Sequence, residues 1–242
     1  MIPENFRNKW NDQDVELHWD RVANIYVLEN NKVKGAHDQR FRESILKLAL
    51  NDRMTVLNIS SRDAEANDYI LKENPTVNVL NAEISRGLIE VAKRIRPYTK
   101  QIKINNYSSL PFENNTFDRI LSLETLEHVS DPIAYLSDLH RVGKGDCRMV
   151  LSCPPRSAEF GYQVYSFFFG GHGEGPHKFP AVKDVRQMLN VTGWKLLEHK
   201  GTLLIPVGPD FMQHLGERII NKFSKTWISN LGIRQFYVCE RD

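Results

Sequence analysis

Residues 110–155 constrain this chain more than any other stretch, because two short apolar runs flank a segment of helical period. Phe117-Asp118-Arg119-Ile120-Leu121-Ser122-Leu123 reads as one buried strand and Arg148-Met149-Val150-Leu151-Ser152 as a second. Between them Ile133, Leu136, Leu139 and His140 recur at helical spacing after an Asp131-Pro132 start signal. Gly143 and Gly145 supply the turn out of that helix. A strand–helix–strand unit of this length predicts parallel neighbours joined by a right-handed crossover, since a tight turn can join only antiparallel strands. Ligands of such sheets sit beyond the carboxyl ends of the strands, and Leu123-Glu124-Thr125-Leu126-Glu127-His128 falls there.

The rest of the chain extends the same alternation. Asp38 to Leu50 reads as a helix with Phe41, Ile45, Leu48 and Ala49 on one face. Met54 to Ile59 is a first buried strand, followed by a helix over Ala66 to Lys72. Val77 to Ala82 is the next strand, Leu88 to Arg96 a helix stopped by Pro97, and Ile102 to Asn105 a short strand. Downstream, Val182 to Asn190 is a helix closed at Gly193, and Trp194 to Lys200 and Gln235 to Glu240 are the last two strands. Strands alternating with helices predict an α/β domain, and 242 residues suit one such domain spanning 1–242.

Composition narrows the partners. A net charge of +2 gives no general attraction to nucleic acid or to anionic membranes. No apolar run approaches the ~20 residues that span a bilayer, and the amino terminus lacks the regions of a signal peptide. Cys147, Cys153 and Cys239 are odd in number and lack metal-ligand spacing, so reduced, buried thiols in a cytoplasmic protein are expected.

The ordered set Leu110-Pro111-Phe112…Phe117-Asp118, Leu126-Glu127-His128-Val129-Ser130-Asp131-Pro132 and Arg141-Val142-Gly143-Lys144-Gly145 resembles the class I S-adenosylmethionine-dependent methyltransferases. The type resembled is the small-molecule group related to ubiquinone and menaquinone methyltransferases. The resemblance, over roughly Trp19 to Val207, implies a Rossmann-like sheet of seven mostly parallel strands. Helices cover both faces, and the last strand runs antiparallel. It also implies S-adenosylmethionine as cofactor, a small-molecule or glycan acceptor, and an amino-terminal cap segment over 1–37 that includes Trp19 to Tyr26.

Residue by residue the match is uneven. The family's first strand runs into a glycine-rich turn that approaches the methionine part of the cofactor. Here Asn58 replaces the usual acid, and Ser60, Arg62 and Ala64 stand at the three glycine positions. Two readings follow: Arg62 reaches the cofactor carboxylate by a charged hydrogen bond, or the site has lost the cofactor and the protein is a non-catalytic binding or scaffold relative. Glu83 matches the acid that accepts from both ribose hydroxyls, with Ile84 beside it. Asn106 matches the residue that meets the adenine amino group, and Tyr107 either covers the adenine face or joins the core. Leu123 and Glu124 end the fourth strand along the cleft.

For chemistry, His128 and His177 are the candidate bases, since imidazole titrates near neutral pH. His128 otherwise braces its loop. His172, Glu174 and His177 share a glycine-rich loop, but their spacing does not point to a metal site. The aromatic block from Phe160 followed by glycines to Gly175 reads as a lid within 156–180, or as core. Leu215, Ile219, Phe223 and Trp227 form an i+4 stripe, expected to pack on the domain or to serve as a homodimer or membrane-contact face.

Overall fold

The computed structural model describes residues 6–32, 34–159, 175–204, 210–223 and 226–242. The strands are β1 (Thr55–Ile59), β2 (Asn78–Glu83), β3 (Gln101–Lys103), β4 (Phe117–Leu123), β5 (Gly143–Cys153), β6 (Trp194–Thr202) and β7 (Arg234–Arg241). The helices are α1 (Asp12–Lys32), α2 (Lys34–Leu48), α3 (Glu65–Glu73), α4 (Arg86–Ile95), α5 (Pro132–Val142), α6 (Val182–Val191) and α7 (Asp210–Lys222).

The strands join in the order β3-β2-β1-β4-β5-β7-β6. β1 pairs in parallel with both β2 and β4, while β7 runs antiparallel to β5 and to β6. Strand order therefore reverses between β1 and β4, which opens a crevice at their carboxyl ends.

Alternation along each central strand explains why both faces are covered. Leu57, Ile59, Ile120, Met149 and Leu151 point into a core shared with α1, α4, α5 and α6. Val56, Leu121, Leu123, Val150, Phe236 and Val238 point to the opposite core against α2 and α3. Local signals set the helix starts: Asp131 caps α5 by accepting from the Ala134 amide at 3.0 Å, with Pro132 opening the helix. Ser85 caps α4 through the Leu88 amide.

Two details differ from the sequence expectation, and a third bears on an alternative it left open. β3 is Gln101–Lys103 rather than Ile102 to Asn105, because its pairing to β2 stops at Glu83↔Lys103. Gly143 makes no left-handed turn; it enters β5 directly at φ −71°, and an irregularity between Phe117 and Arg119 takes up the register. The carboxy-terminal stripe faces outward, with Leu215 50% and Trp227 70% exposed, while Ile220 is the residue α7 buries. Trp227 lies beyond α7 in a 3₁₀ turn, so the i+4 spacing spans two elements. The three cysteines are buried free thiols. No described helix is long and apolar enough to cross a membrane.

Candidate cofactor site at the switch between β1 and β4

The chain leaving β1 keeps the backbone of a glycine-type turn without its glycines. Ser60, Arg62 and Ala64 all have positive φ, at 52°, 54° and 62°. Each left-handed non-glycine residue costs about 1–2 kcal/mol. Fixed hydrogen bonds hold the turn against that cost. The Ser61 amide donates to the Ala82 carbonyl at 3.1 Å, and the Ala64 amide to the Ser61 carbonyl at 2.8 Å. The Arg62 amide donates to Glu83 Oε2 at 2.7 Å.

Glu83 is the hub. Its Oε1 accepts from the amides of Ile84 and Ser85, both at 2.8 Å, and Arg62 Nη1 lies 3.9 Å away. The carboxylate is fully buried, which it tolerates because three backbone N–H groups and a guanidinium neutralise it. The Arg62 side chain, 9% exposed, lies over the Trp19 indole at 3.7 Å from the ring centroid.

Asn58 sits on β1 opposite Asn81 of β2. Its Nδ2 donates to Asn81 Oδ1 at 2.8 Å, and Asn81 Nδ2 donates in turn to Asn67 Oδ1 at 3.2 Å. An amide at position 58 thus extends a neutral buried ladder. Asn106 Oδ1 accepts from the Ser109 amide at 2.7 Å. Tyr107 is buried, its hydroxyl accepting from Ser60 Oγ at 3.2 Å and its amide donating to Asp12 Oδ2 at 2.8 Å. Burial, then the Glu83 charge, pushes its phenol well above the usual range. Glu124, at φ 51°, accepts from Ser152 Oγ at 2.6 Å and Arg234 Nε at 3.3 Å. Leu123 is buried beside it.

The two histidines are placed differently. His128 is buried, and its Nδ1–H donates to the Pro176 carbonyl at 3.0 Å. Burial, with Arg62 nearby, lowers its pKa to about 3. His177 is half-buried, with Nδ1 2.9 Å from the Gly175 carbonyl and its ring beside Phe179. Most of the 160–175 aromatic and glycine segment, with His172 and Glu174, lies outside the described residues. Among those described, no group of three His, Cys, Asp or Glu could hold a metal ion.

Sequence reasoning missed the side chains that fasten α1 beside the site. Asp20 Oδ1 accepts from Ser85 Oγ at 2.6 Å and the Gly87 amide at 2.9 Å, clamping α1 to the start of α4. Asp12 ties the start of α1 to Tyr107 and to Ser130 Oγ. Trp19 and Tyr26 project from the same helix into the core. The resemblance marks Trp19 to Tyr26 as a cap segment; what it does not give is that Asp12 and Asp20 fasten the helix. Arg40 of α2 was also missed: its Nη2 donates to Tyr26 Oη at 3.3 Å.

Residues 59–151 match the methyltransferase domain family. The ubiquinone/menaquinone biosynthesis C-methyltransferase of Desulfotalea psychrophila is 27% identical over 158 residues, 64% of either chain. The match thus spans less than two thirds of that relative's length. A solved S-adenosylmethionine-dependent methyltransferase of Thermotoga maritima, a possible histamine N-methyltransferase, aligns at TM-score 0.66 and 15% identity, over 94% of this chain and 99% of its own. The [4+2]-cyclase SpnF aligns at 0.69 and 13% identity, over 96% of both chains. At those identities the structures speak for the fold.

Proposed function

We propose that this class I methyltransferase domain transfers a methyl group from S-adenosylmethionine to a small-molecule acceptor of the quinone-ring class. The observation that carries the reading is Glu83, a carboxylate at the end of β2, facing a turn that keeps left-handed backbone at Ser60, Arg62 and Ala64. Buried guanidinium nitrogens beside that turn make no hydrogen bond among the described residues, so the donor set suits a ligand with a diol and an acid group. Glu83 would hold the ribose hydroxyls, Asn106 the adenine amino group and Arg62 the carboxylate. The Arg62 guanidinium lies beside the Glu83 carboxylate and over the Trp19 indole, so a ribose held at Glu83 would displace it.

When bound, the cofactor supplies an electrophilic methyl on sulfur. The protein's task is then alignment and exclusion of water. A ring hydroxyl would give its proton to the imidazole of His177 as the adjacent carbon takes the methyl, and loss of that carbon's own proton would then restore the hydroxyl and the aromatic ring. His128, buried and held by Pro176, braces the loop.

The buried Arg62–Glu83 pair favours a second reading, a non-catalytic member of the fold. The test is thermal shift with S-adenosylhomocysteine, which raises the melting temperature if the native state binds it. It is joined to transfer of labelled methyl onto a short-chain demethylmenaquinone. His177→Ala should lower kcat and leave S-adenosylhomocysteine affinity unchanged. No shift at millimolar ligand and no labelled product would leave the non-catalytic reading.

A further inference from the structure

Away from the crevice, α7 and the 3₁₀ turn Trp227–Leu231 carry a run of large apolar side chains in solvent. Phe211 and Trp227 are each 70% exposed, and Leu215, Phe223, Leu231 and Ile233 are exposed with them. Strand register sets this segment at the crevice edge of the sheet. Thr202, the last residue of β6, pairs with Arg234, and the next residue, Gln235, pairs with Cys153 at the end of β5. Arg234 Nε reaches Glu124, just beyond β4, at 3.3 Å. The segment is fastened there: the Leu203 amide donates to Glu217 Oε1 at 2.6 Å, and the Gly201 amide to Ser229 Oγ at 2.9 Å. Ile220 is buried and holds α7 down, so the apolar run is fixed facing outward.

Charge on this face points to what covers it. Steps of four, three and four residues put Phe211, Leu215, Arg218 and Lys222 on one side of α7. Both cations are exposed and make no ion pair among the described residues, while the intervening Glu217 is turned inward to Leu203. Rings and aliphatic groups flanked by uncommitted cations suit a helix lying in a headgroup layer. The apolar groups enter the acyl boundary, and the long basic stems carry their charges up to lipid phosphates. A second copy of the chain would bring the same two cations to the contact, whereas anionic headgroups neutralise them. The whole chain carries only +2, so the attraction is local to this face.

We infer that α7 and the Trp227–Leu231 turn form a docking face for an anionic lipid surface, which holds the crevice edge of the sheet toward the bilayer. Entry of an apolar acceptor from that bilayer rests on the methyl-transfer reading; the docking itself does not.

The experiment is flotation of the whole protein, without cofactor, on vesicles of phosphatidylcholine with phosphatidylglycerol and on vesicles of phosphatidylcholine alone. Binding to the anionic vesicles that weakens as salt rises is the expected result. Arg218→Gln with Lys222→Gln should weaken it by about twenty-five-fold, fivefold for each charge. Phe211→Ser with Trp227→Ser should weaken it by about tenfold. Should a variant fail to fold, quenching of tryptophan fluorescence by brominated anionic lipid reads the same contact on the unaltered protein, because Trp227 is the one exposed tryptophan. No vesicle binding, binding indifferent to phosphatidylglycerol, variants that bind as the parent does, or no quenching overturns the inference. A dimer in ultracentrifugation that the serine substitutions break, without vesicle binding, overturns it in favour of a second copy. Vesicle binding with neither an S-adenosylhomocysteine shift nor methyl transfer supports the docking face while the methyl-transfer reading falls. Methyl transfer to short-chain demethylmenaquinone without vesicle binding overturns the docking face alone.

Discussion

The guanidinium of Arg62 lies 3.7 Å from the centre of the Trp19 indole, while its own amide donates to Glu83 at 2.7 Å. One residue thus joins helix α1 to the end of β2, and does so from a left-handed backbone at φ 54°. A desolvated cation–π contact is worth about 2 kcal/mol, which offsets the ~1–2 kcal/mol of backbone strain. Arg62→Ala keeps the strain and loses the contact, so it should destabilise by about 2 kcal/mol. Arg62→Gly relieves the strain and should unfold in urea at a midpoint close to that of the unaltered protein. Equal loss in both variants would show that the turn stores no strain.

Glu83 is a folding residue as well as a ligand candidate. Removing its carboxylate orphans the amides of Arg62, Ile84 and Ser85 and leaves a buried guanidinium facing them. Glu83→Ala should cost about 3–5 kcal/mol in urea unfolding, as for breaking a buried charged network. A loss under about 1 kcal/mol would mean that water replaces the carboxylate.

Acid should weaken the fold through His128. Burial holds its pKa near 3, below the 6.5 of the unfolded chain. The folded state keeps it neutral while the unfolded state takes a proton below pH 6.5. Its contribution is therefore whole above pH 6.5 and is lost as pH falls from there toward 3, by up to about 1.4 kcal/mol per pH unit. His199, lowered to about 4 chiefly by burial, adds to the same slope. His128→Gln should flatten the decline in stability between pH 6.5 and 4; an unchanged slope would assign the decline to other groups.

The approach of α1 to α4 is set at Gly87. A Cβ there would stand 2.9 Å from Ala23 Cβ and 3.2 Å from the Asp20 carbonyl oxygen, in backbone that cannot easily yield. Gly87→Ala should lower stability by about 1–3 kcal/mol through overpacking. It should also loosen the Asp20 clamp, read as faster amide exchange at Ser85 and Gly87. A variant as stable as its parent would place the close contact outside the interface that closes the site.

The sequence by itself determined the architecture. Phe117 to Leu123 and Arg148 to Ser152 could only be buried neighbouring strands, and the crossover through Ile133, Leu136 and Leu139 could only make them parallel, because strand period, helix period and chain length are local properties. The position of Glu83 at a strand end was legible for the same reason, whereas the family resemblance alone marked Ser60, Arg62 and Ala64 as standing at glycine positions. Only the tertiary structure decided what those losses meant. The turn kept its left-handed path because Ala82 and Glu83 of β2 and Trp19 of α1 hold it with hydrogen bonds and a stacked cation. Asn58 found Asn81 across the sheet, and Arg40 of α2 came to line one small cavity with Arg62. The stripe from Leu215 to Trp227 turned outward because α7 buries Ile220 instead. Such pairings depend on which side chains meet across long sequence separations, and no local period carries that information.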